Sequence, residues 1–450
     1  MNLAKFNSVY FIGVGGIGMS ALARYFVEIH KKVAGYDKTA TPLTNDLKKI
    51  GVNIHFADTV EFIPDEFKSS EDTLVVYTPA VPKNHSELNY FLDNNFVVKK
   101  RSEVLGLITQ DTFCYAVAGT HGKTTTSSIL AHLLATANIP ITAFLGGISE
   151  DFNSNYVFRG DEVSVVEADE FDRSFLKLSP NIACITSMDA DHLDIYGSHS
   201  ELIASFHEFA NKIEEAGNLI VRNGLPIKGI TYGIEDNSDY SIKNKRVENG
   251  SYVFDIKTPK QLIENVKFNK PGEHNLLNAL AAFTMAVETK TPIDRLVEGL
   301  ESFKGVQRRF SYRIKEENFV LIDDYAHHPT EINAVYQALT DVHPSLKLNV
   351  IFQPHLFSRT RDFADEFAAS LSAFDTVRLL DIYPAREEPI SGITSEWLLG
   401  KISKSDKKLV SKEELFNEIN ANRTGVYAML GAGDIGQEIV KLTKQLTYEN

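Results

Sequence analysis

At 450 residues the chain is longer than one ordinary hydrophobic core serves, so two or three domains are expected. Lys and Arg number 46 against 60 Asp and Glu, a net charge of −14, which argues against a general nucleic-acid binder because that class needs a basic face. The two cysteines, Cys114 and Cys184, lie in apolar runs and read as buried reduced thiols; no signal-peptide core and no apolar run of membrane length is evident, so a cytoplasmic protein without membrane insertion is expected.

The first block, 1–107, alternates short apolar strands, expected at 8–12, 33–36 and 73–77, with helical stretches. That is the pattern of a parallel sheet with helices on its faces. The opening strand runs into Gly13-Val14-Gly15-Gly16-Ile17-Gly18, a G-x-G-x-x-G at a helix start, and Asp37 follows nineteen residues after Gly18. Such a loop holds a diphosphate on backbone N–H groups and the positive end of the helix dipole. Gly13, Gly15, Gly16, Gly18 and Asp37 are therefore candidate nucleotide-binding residues, with NAD as one reading. The same pattern recurs from Gly431 to Gly436, so by itself it does not name the ligand.

The second block, 108–310, opens on "FCYAVAGTHGKTTTSSIL". An apolar strand leads into Gly119-Thr120-His121-Gly122-Lys123-Thr124-Thr125, and a helix follows. The glycines let amides close on phosphate oxygens, Lys123 offsets phosphate charge, and the Thr124 hydroxyl suits magnesium. The full phosphate-loop pattern asks for glycine at 117, where this chain has Val117. "VSVVEADEFD" puts Glu167 at a strand end, followed by Asp169, Glu170 and Asp172; Glu167 is the best magnesium candidate there. A further strand, "IACITS", precedes Asp189, Asp191, His192 and Asp194. The segment 236–270 reads as a strand-rich excursion. "HNLLNALAA" sets Asn275 and Asn278 three apart on a helix, able to pair with an adenine edge or to cap the helix. "GVQRRF" brings Arg308 and Arg309, suited to phosphate.

The third block, 311–450, has strands expected at 347–352, 376–381 and 426–430. "LIDDYAHHPTEI" ends a strand at Asp323 and Asp324 and continues through Tyr325, His327 and His328. "IFQPHLFSRTRDF" ends another before His355, Arg359 and Arg361. Two histidines beside two carboxylates suggest zinc, but no cysteine and no H-x-x-x-H helix supports it.

In this order the stretches "GVGGIGMS", "AGTHGKTTT", "VEADEFDRSFL", "DADHLDIYG", "HNLLNALAA", "RRF", "DDYAHHP" and "QPHLFSRTRD" resemble the Mur ligases of bacterial peptidoglycan synthesis across nearly the whole chain. The resemblance implies an α/β protein of three domains. A Rossmann-like UDP-binding domain would occupy 1–107, a P-loop ATPase-like domain 108–310, and a Rossmann-like amino-acid-binding domain 311–450. It implies ATP-dependent ligation of L-alanine to the carboxylate of UDP-N-acetylmuramate through an acyl phosphate, with ATP and Mg2+ as cofactors. Lys123, His192, Arg309 and His327 would be the catalytic residues. Gly119 to Thr125, Asn275, Asn278 and Arg309 would bind ATP. Thr124, Glu167 and His192 would hold the metal, and Gly13, Gly15, Gly16, Gly18 and Asp37 the UDP-sugar. Tyr325, His327, His355 and Arg359 would form the amino-acid pocket. Some family members carry arginine after the histidine of "QPH"; here Leu356 stands there, leaving Arg359 to take the alanine carboxylate. Three alternatives stay open: a recycling ligase adding a preformed peptide, an NAD-dependent oxidoreductase, which leaves "GTHGKTTT" unexplained, and a non-catalytic nucleotide-binding module.

Overall fold

Strand β1 (Ser8–Ile12) is buried on both faces. Val9 and Phe11 pack with Leu22 and Phe26 of the helix Ile17–Glu28, while Tyr10 and Ile12 pack with Phe67 and Phe91. Each large apolar side chain so buried contributes roughly 2 kcal/mol. β2 (Lys32–Tyr36), β3 (Asn53–His55), β4 (Thr73–Tyr77) and β5 (Val97–Lys100) complete a parallel sheet of order β3-β2-β1-β4-β5 in this computed structural model, which describes residues 3–189, 193–213, 219–248, 251–385 and 387–448. The order reverses between β1 and β4. Sheets of this kind open their ligand crevice at that point, and the glycine loop Gly13–Gly18 leaves β1 there.

The second sheet contains β6 (Phe113–Ala118), β7 (Ile141–Ser149), β8 (Ser154–Phe158), β9 (Val163–Glu167), β10 (Ile182–Ile185), β11 (Leu219–Arg222), β12 (Ile230–Ile234), β13 (Tyr240–Glu248), β14 (Ser251–Lys257) and β15 (Leu262–Phe268). Its order is β15-β14-β13-β12-β11-β10-β6-β9-β7-β8. β13 to β15 are the strand-rich excursion expected over 236–270. β10, β6, β9 and β7 run parallel, with Val117 opposite Glu167 and Ala118 opposite Ile185. The third sheet contains β16 (Ser311–Lys315), β17 (Phe319–Asp324), β18 (Leu348–Phe352), β19 (Thr376–Leu379), β20 (Lys407–Leu409) and β21 (Gly425–Leu430), in the order β16-β17-β21-β18-β19-β20. Only edge strand β16 is antiparallel. Its two faces carry separate cores, Val350 and Phe352 on one and Ile351 on the other.

Contacts divide the chain into two compact units. One comprises Met1–Lys245, Val253–Phe268 and Leu277–Lys304, the other Arg246–Tyr252, Asn269–Leu276 and Gly305–Asn450. In the first unit a single apolar cluster runs from Phe11 and Phe26 through Phe144 and Tyr156 to Phe206 and Phe209, so the first two sheets share a core. Asn155 Nδ2 donates to the Ile17 carbonyl at 2.6 Å and to Ser20 Oγ at 2.9 Å, tying β8 to the helix after the glycine loop. Among the described residues no helix is long and apolar enough to cross a membrane.

Candidate active site

β6 continues through Ala118, so Val117 is a buried strand residue rather than part of the loop. The phosphate loop is Gly119 to Gly122. Gly119 has φ 131°, and Gly122, with φ 84°, caps the helix Lys123–Thr136 without a side-chain cap. A Cβ at Gly119 would lie 2.1 Å from Thr186 Oγ1, and one at Gly122 would lie 2.5 Å from Asn278 Oδ1, so both positions need glycine for conformation and for room. The first-turn N–H groups are thereby offered to an anion. The end of β10 braces the loop. His121 N–H donates to Ser187 Oγ at 2.8 Å, Thr120 Oγ1 bonds Ser187 Oγ at 2.9 Å, and Thr186 Oγ1 bonds the Ala118 and His121 carbonyls. Thr186 and Ser187 were not singled out from the sequence, although two hydroxyls directly after "IACI" were the available signal.

Parallel register carries the carboxylates to this loop. β9 lies beside β6, and Glu167 ends it opposite Val117. Thr124 Oγ1 donates to Glu167 Oε2 at 2.8 Å. Gly146 of β7 leaves the room: a Cβ there would stand 2.0 Å from Glu167 Oε2. Lys123 Nζ donates to the Gly119 carbonyl at 2.6 Å and pairs with fully buried Glu170 at 2.8 Å. Burial alone would lower the Lys123 pKa, but Glu170, then Asp169 and Glu167, outweigh it and hold the ammonium above its ordinary value. Thr124 and Glu167 are hard oxygen donors at one point beside a phosphate loop, the donor set magnesium takes together with phosphate and water. His192 and Asp191 lie outside the described residues.

On the other wall, Gly13 has φ 88°, and Gly15 N–H donates to Asp37 Oδ2 at 2.7 Å. A Cβ at Gly15 would meet Thr44 and Asp37 below 3 Å. Asp37 thus faces the glycine loop and accepts from its backbone. A cleft of about 260 Å³ is lined by Gly16 and Gly18 from this loop and by Arg101, Gly146, Glu167 and Asp169. The first glycine loop and the carboxylates beside the second therefore open onto one space. Sequence reasoning did not single out Arg101 or Gly146.

In the second unit, the loops after β17 and β18 bring the four expected pocket residues together. Tyr325 and His327 have ring centroids 5.3 Å apart, and His327 and His355 6.0 Å apart. Arg359 Nη1 lies 3.4 Å from His355 Nδ1. His327 N–H donates to Glu331 Oε2 at 2.9 Å, and Tyr383 stacks on His355 at 5.8 Å. Neither Glu331 nor Tyr383 was expected; Glu331, four residues past His327 at a helix start, had a readable spacing. Leu356 takes φ 71° as it turns from His355 into the helix Phe357–Asp362. Arg309 sits over the Tyr325 ring at 5.1 Å with Nη1 3.7 Å from Glu331 Oε1, and so belongs to this cluster. Burial pushes Asp324 up to about 6, against the pull of Arg309 and of the Phe310 and Ala326 N–H groups. Burial, then Arg309, pushes His274 down to about 4.

Two expectations separate from their neighbours. Arg308 also covers Tyr325, but its Nε donates to Asp323 Oδ1 at 3.2 Å and its Nη2 to the Gly431 carbonyl at 2.5 Å, so it braces the sheet. Asn275 Nδ2 donates to the Pro271 carbonyl at 2.6 Å, closing its own helix start, whereas Asn278 Oδ1 accepts from Thr126 Oγ1 at 3.2 Å beside the phosphate loop. The second glycine pattern is filled by the chain itself. Cβ atoms at Gly433 and Gly436 would lie 2.4 Å from Gln353 Oε1 and 2.3 Å from Arg308 Cζ, and Ile435 N–H donates to Gln353 Oε1 at 3.0 Å. Among the described residues no group of three His, Cys, Asp or Glu side chains is arranged to hold a metal.

Three family models match: "Mur ligase family, catalytic domain" over residues 8–112, "Mur ligase middle domain" over 117–286, and "Mur ligase, glutamate ligase domain" over 308–433. The chain is 59% identical over 441 residues to the UDP-N-acetylmuramate–L-alanine ligase of Christiangramia forsetii, covering 98% of each chain. It is 58% identical over 446 residues to the enzyme of the same name from Flavobacterium psychrophilum, covering 99% of each. The crystal structure of the UDP-N-acetylmuramate–alanine ligase of Thermotoga maritima superposes with a TM-score of 0.83 at 27% identity, covering 98% of this chain and 100% of that one. With these matches along its whole length and the phosphate loop in place, the chain belongs to the Mur ligase family.

Proposed function

We propose that the chain joins L-alanine to the carboxylate of UDP-N-acetylmuramate with cleavage of ATP to ADP and phosphate, the first amino-acid addition of peptidoglycan precursor synthesis. The observation that carries this is the 59% identity, over 98% of both chains, to a ligase named for that reaction. The site is suited to it. A carboxylate is a poor electrophile, and two anions must meet before it can be activated. An oxygen of the substrate carboxylate bonds the γ-phosphorus as the bond to the β,γ-bridging oxygen breaks and ADP leaves. The alanine nitrogen then bonds the acyl carbon, phosphate departs with the C–O bond electrons, and the amine gives up a proton. Positioning and electrostatics do most of this work.

Within that reading the amides of Gly119 to Thr125 and Lys123 hold the ATP phosphates, with Asn278 beside the loop. Thr124 and Glu167 hold magnesium, which when bound neutralises phosphate charge. Gly13 to Gly18 and Asp37 take the UDP moiety, and Tyr325, His327, His355 and Arg359 take alanine, with Arg309 over Tyr325. The same proposal assigns the UDP-sugar to 1–107, ATP to 108–310 and the amino acid to 311–450. It also places the protein in the cytoplasm, where nucleotide-activated sugars and ATP are available. The oxidoreductase alternative is not favoured.

Incubation with UDP-N-acetylmuramate and ATP, with phosphate release followed for L-alanine, L-serine, glycine and a murein tripeptide in turn, tests this. Release with L-alanine is expected. Release with the tripeptide alone would establish the recycling ligase instead.

A further inference from the structure

Arg101 opens the helix Arg101–Thr109 at the end of β5 and reaches into the cleft shared by the first two sheets. Two measurements place its guanidinium. A Cβ at Gly18 would lie 2.7 Å from Arg101 Nη1, so the last glycine of the loop makes room for this side chain. In doubly wound folds that glycine ordinarily serves close helix–strand packing. On the opposite side Arg101 Nη2 lies 3.5 Å from Asp169 Oδ2, two residues past Glu167. The guanidinium thus stands between the loop suited to a diphosphate and the strand end that serves the phosphate loop. Among the described residues lining the cleft it is the one cation, and Glu167 and Asp169 line the same space.

An acid group entering this cleft meets two carboxylates, and on the ligase reading it must approach the γ-phosphate as well. It can be held there only beside a positive charge. A guanidinium never deprotonates and forks onto both oxygens of a carboxylate. Its ion pair with Asp169 is long and uses one of five N–H donors.

We propose that Arg101 binds the carboxylate of the UDP-sugar, the group that becomes phosphorylated, and aims it at the phosphate loop. The proposal rests on the ligase function above. The pyrophosphate of the same substrate is the competing anion, and UDP-N-acetylglucosamine separates the two because it carries the same diphosphate without the acid. Binding of both nucleotides to the wild-type chain, Arg101→Ala and Arg101→Lys is measured by calorimetry, together with KM for each substrate. Loss of a charge-assisted fork weakens binding about 10- to 100-fold. Arg101→Ala is expected to lose that factor for UDP-N-acetylmuramate and to leave UDP-N-acetylglucosamine within about twofold, erasing the preference between them. KM for UDP-N-acetylmuramate should rise in proportion while KM for ATP stays within about twofold. Arg101→Lys, which keeps the charge and the helix start, should recover part of the preference. Asp169→Asn, which breaks the same ion pair, should keep it. Equal losses for both nucleotides would assign Arg101 to the pyrophosphate, and unchanged binding of UDP-N-acetylmuramate would give it a structural role; each overturns the proposal. A wild-type chain without ligase turnover would instead overturn the function on which it rests.

Discussion

Replacing Gly146 by alanine adds one methyl group next to Glu167 and alters no charge. The new Cβ would stand 2.0 Å from Oε2 and 2.6 Å from the carboxyl carbon, where real Cβ contacts essentially never fall under 3.0 Å. Something must retreat by about 1 Å. Gly146 is backbone within β7, outside the positive-φ region, so the strand accepts alanine; Glu167 is a side chain with free torsions and gives way. Its carboxylate then leaves the position it holds beside Thr124 Oγ1. A displacement of about 1 Å at a positioning group costs on the order of 100-fold in rate, or roughly 2.7 kcal/mol of activation free energy. Phosphate release with all three substrates, titrated with magnesium, measures this, and a thermal melt reports the fold. The expected outcome is a kcat/KM lowered about 100-fold, a raised magnesium requirement and a Tm within a few degrees of wild type. Full activity in an intact variant would refute the assignment of Glu167 to the metal site.

Burial pushes Glu87 up from 4.5 to about 7, with the Tyr10 hydroxyl donating to it at 2.8 Å and His55 and Asp58 nearby. The folded state therefore binds this proton more tightly than the unfolded chain. Its contribution is greatest below about pH 4.5, is lost as the pH climbs toward 7 and is flat above, about 3 kcal/mol in all. Urea melts of Glu87→Gln against wild type should shift in favour of the variant by about that amount between pH 4.5 and 8, and a pH-independent difference would refute the shift. Arg308→Ala removes one of two guanidinium partners of buried Asp323, Arg313 being the other, and should cost about 2 kcal/mol of stability. Arg309→Ala should leave the melt near wild type and lower kcat about 100-fold; the reverse pattern would exchange their roles. Lys123→Met leaves Glu170 buried without its ammonium and should cost about 3–5 kcal/mol besides turnover. Adding Glu170→Gln should restore the melting temperature but not phosphate release, and recovered release would remove Lys123 from the mechanism.

The elements that the sequence made legible are those whose cause is local. "SVYFI", "FCYAVA" and "VSVVE" are apolar runs short enough to be strands; the first two are followed by glycine and the third ends on an acid where the chain leaves a sheet. The clustering of Tyr325, His327, His355 and Arg359 was also readable, because β17 and β18 end on the same edge of one parallel sheet. Less legible were β3 and β5, which are three and four residues long and carry polar positions. Gly146 and Arg101 had no local sign of function; strand pairing brings Gly146 beside Glu167, and the core shared by the first two sheets brings Arg101 beside Asp169. Arg308 and Arg309 are neighbours of one type, and which of them braces Asp323 was settled by β17.

Two glycine loops at helix starts, Gly13 to Gly18 and Gly119 to Thr125, are legible from the linear order alone, because strand, glycine and helix start succeed one another within a few residues. The same order makes the first of these loops and the one at Gly431 look alike. It took the folded chain to show that the latter is filled by Gln353 and Arg308, that Glu167 meets Thr124 across 43 positions, that Glu170 neutralises Lys123, and that Arg101 lies beside Gly18 and Asp169. Those pairings depend on parallel register and on which sheet edge each loop leaves, and a linear pattern of residue types carries neither.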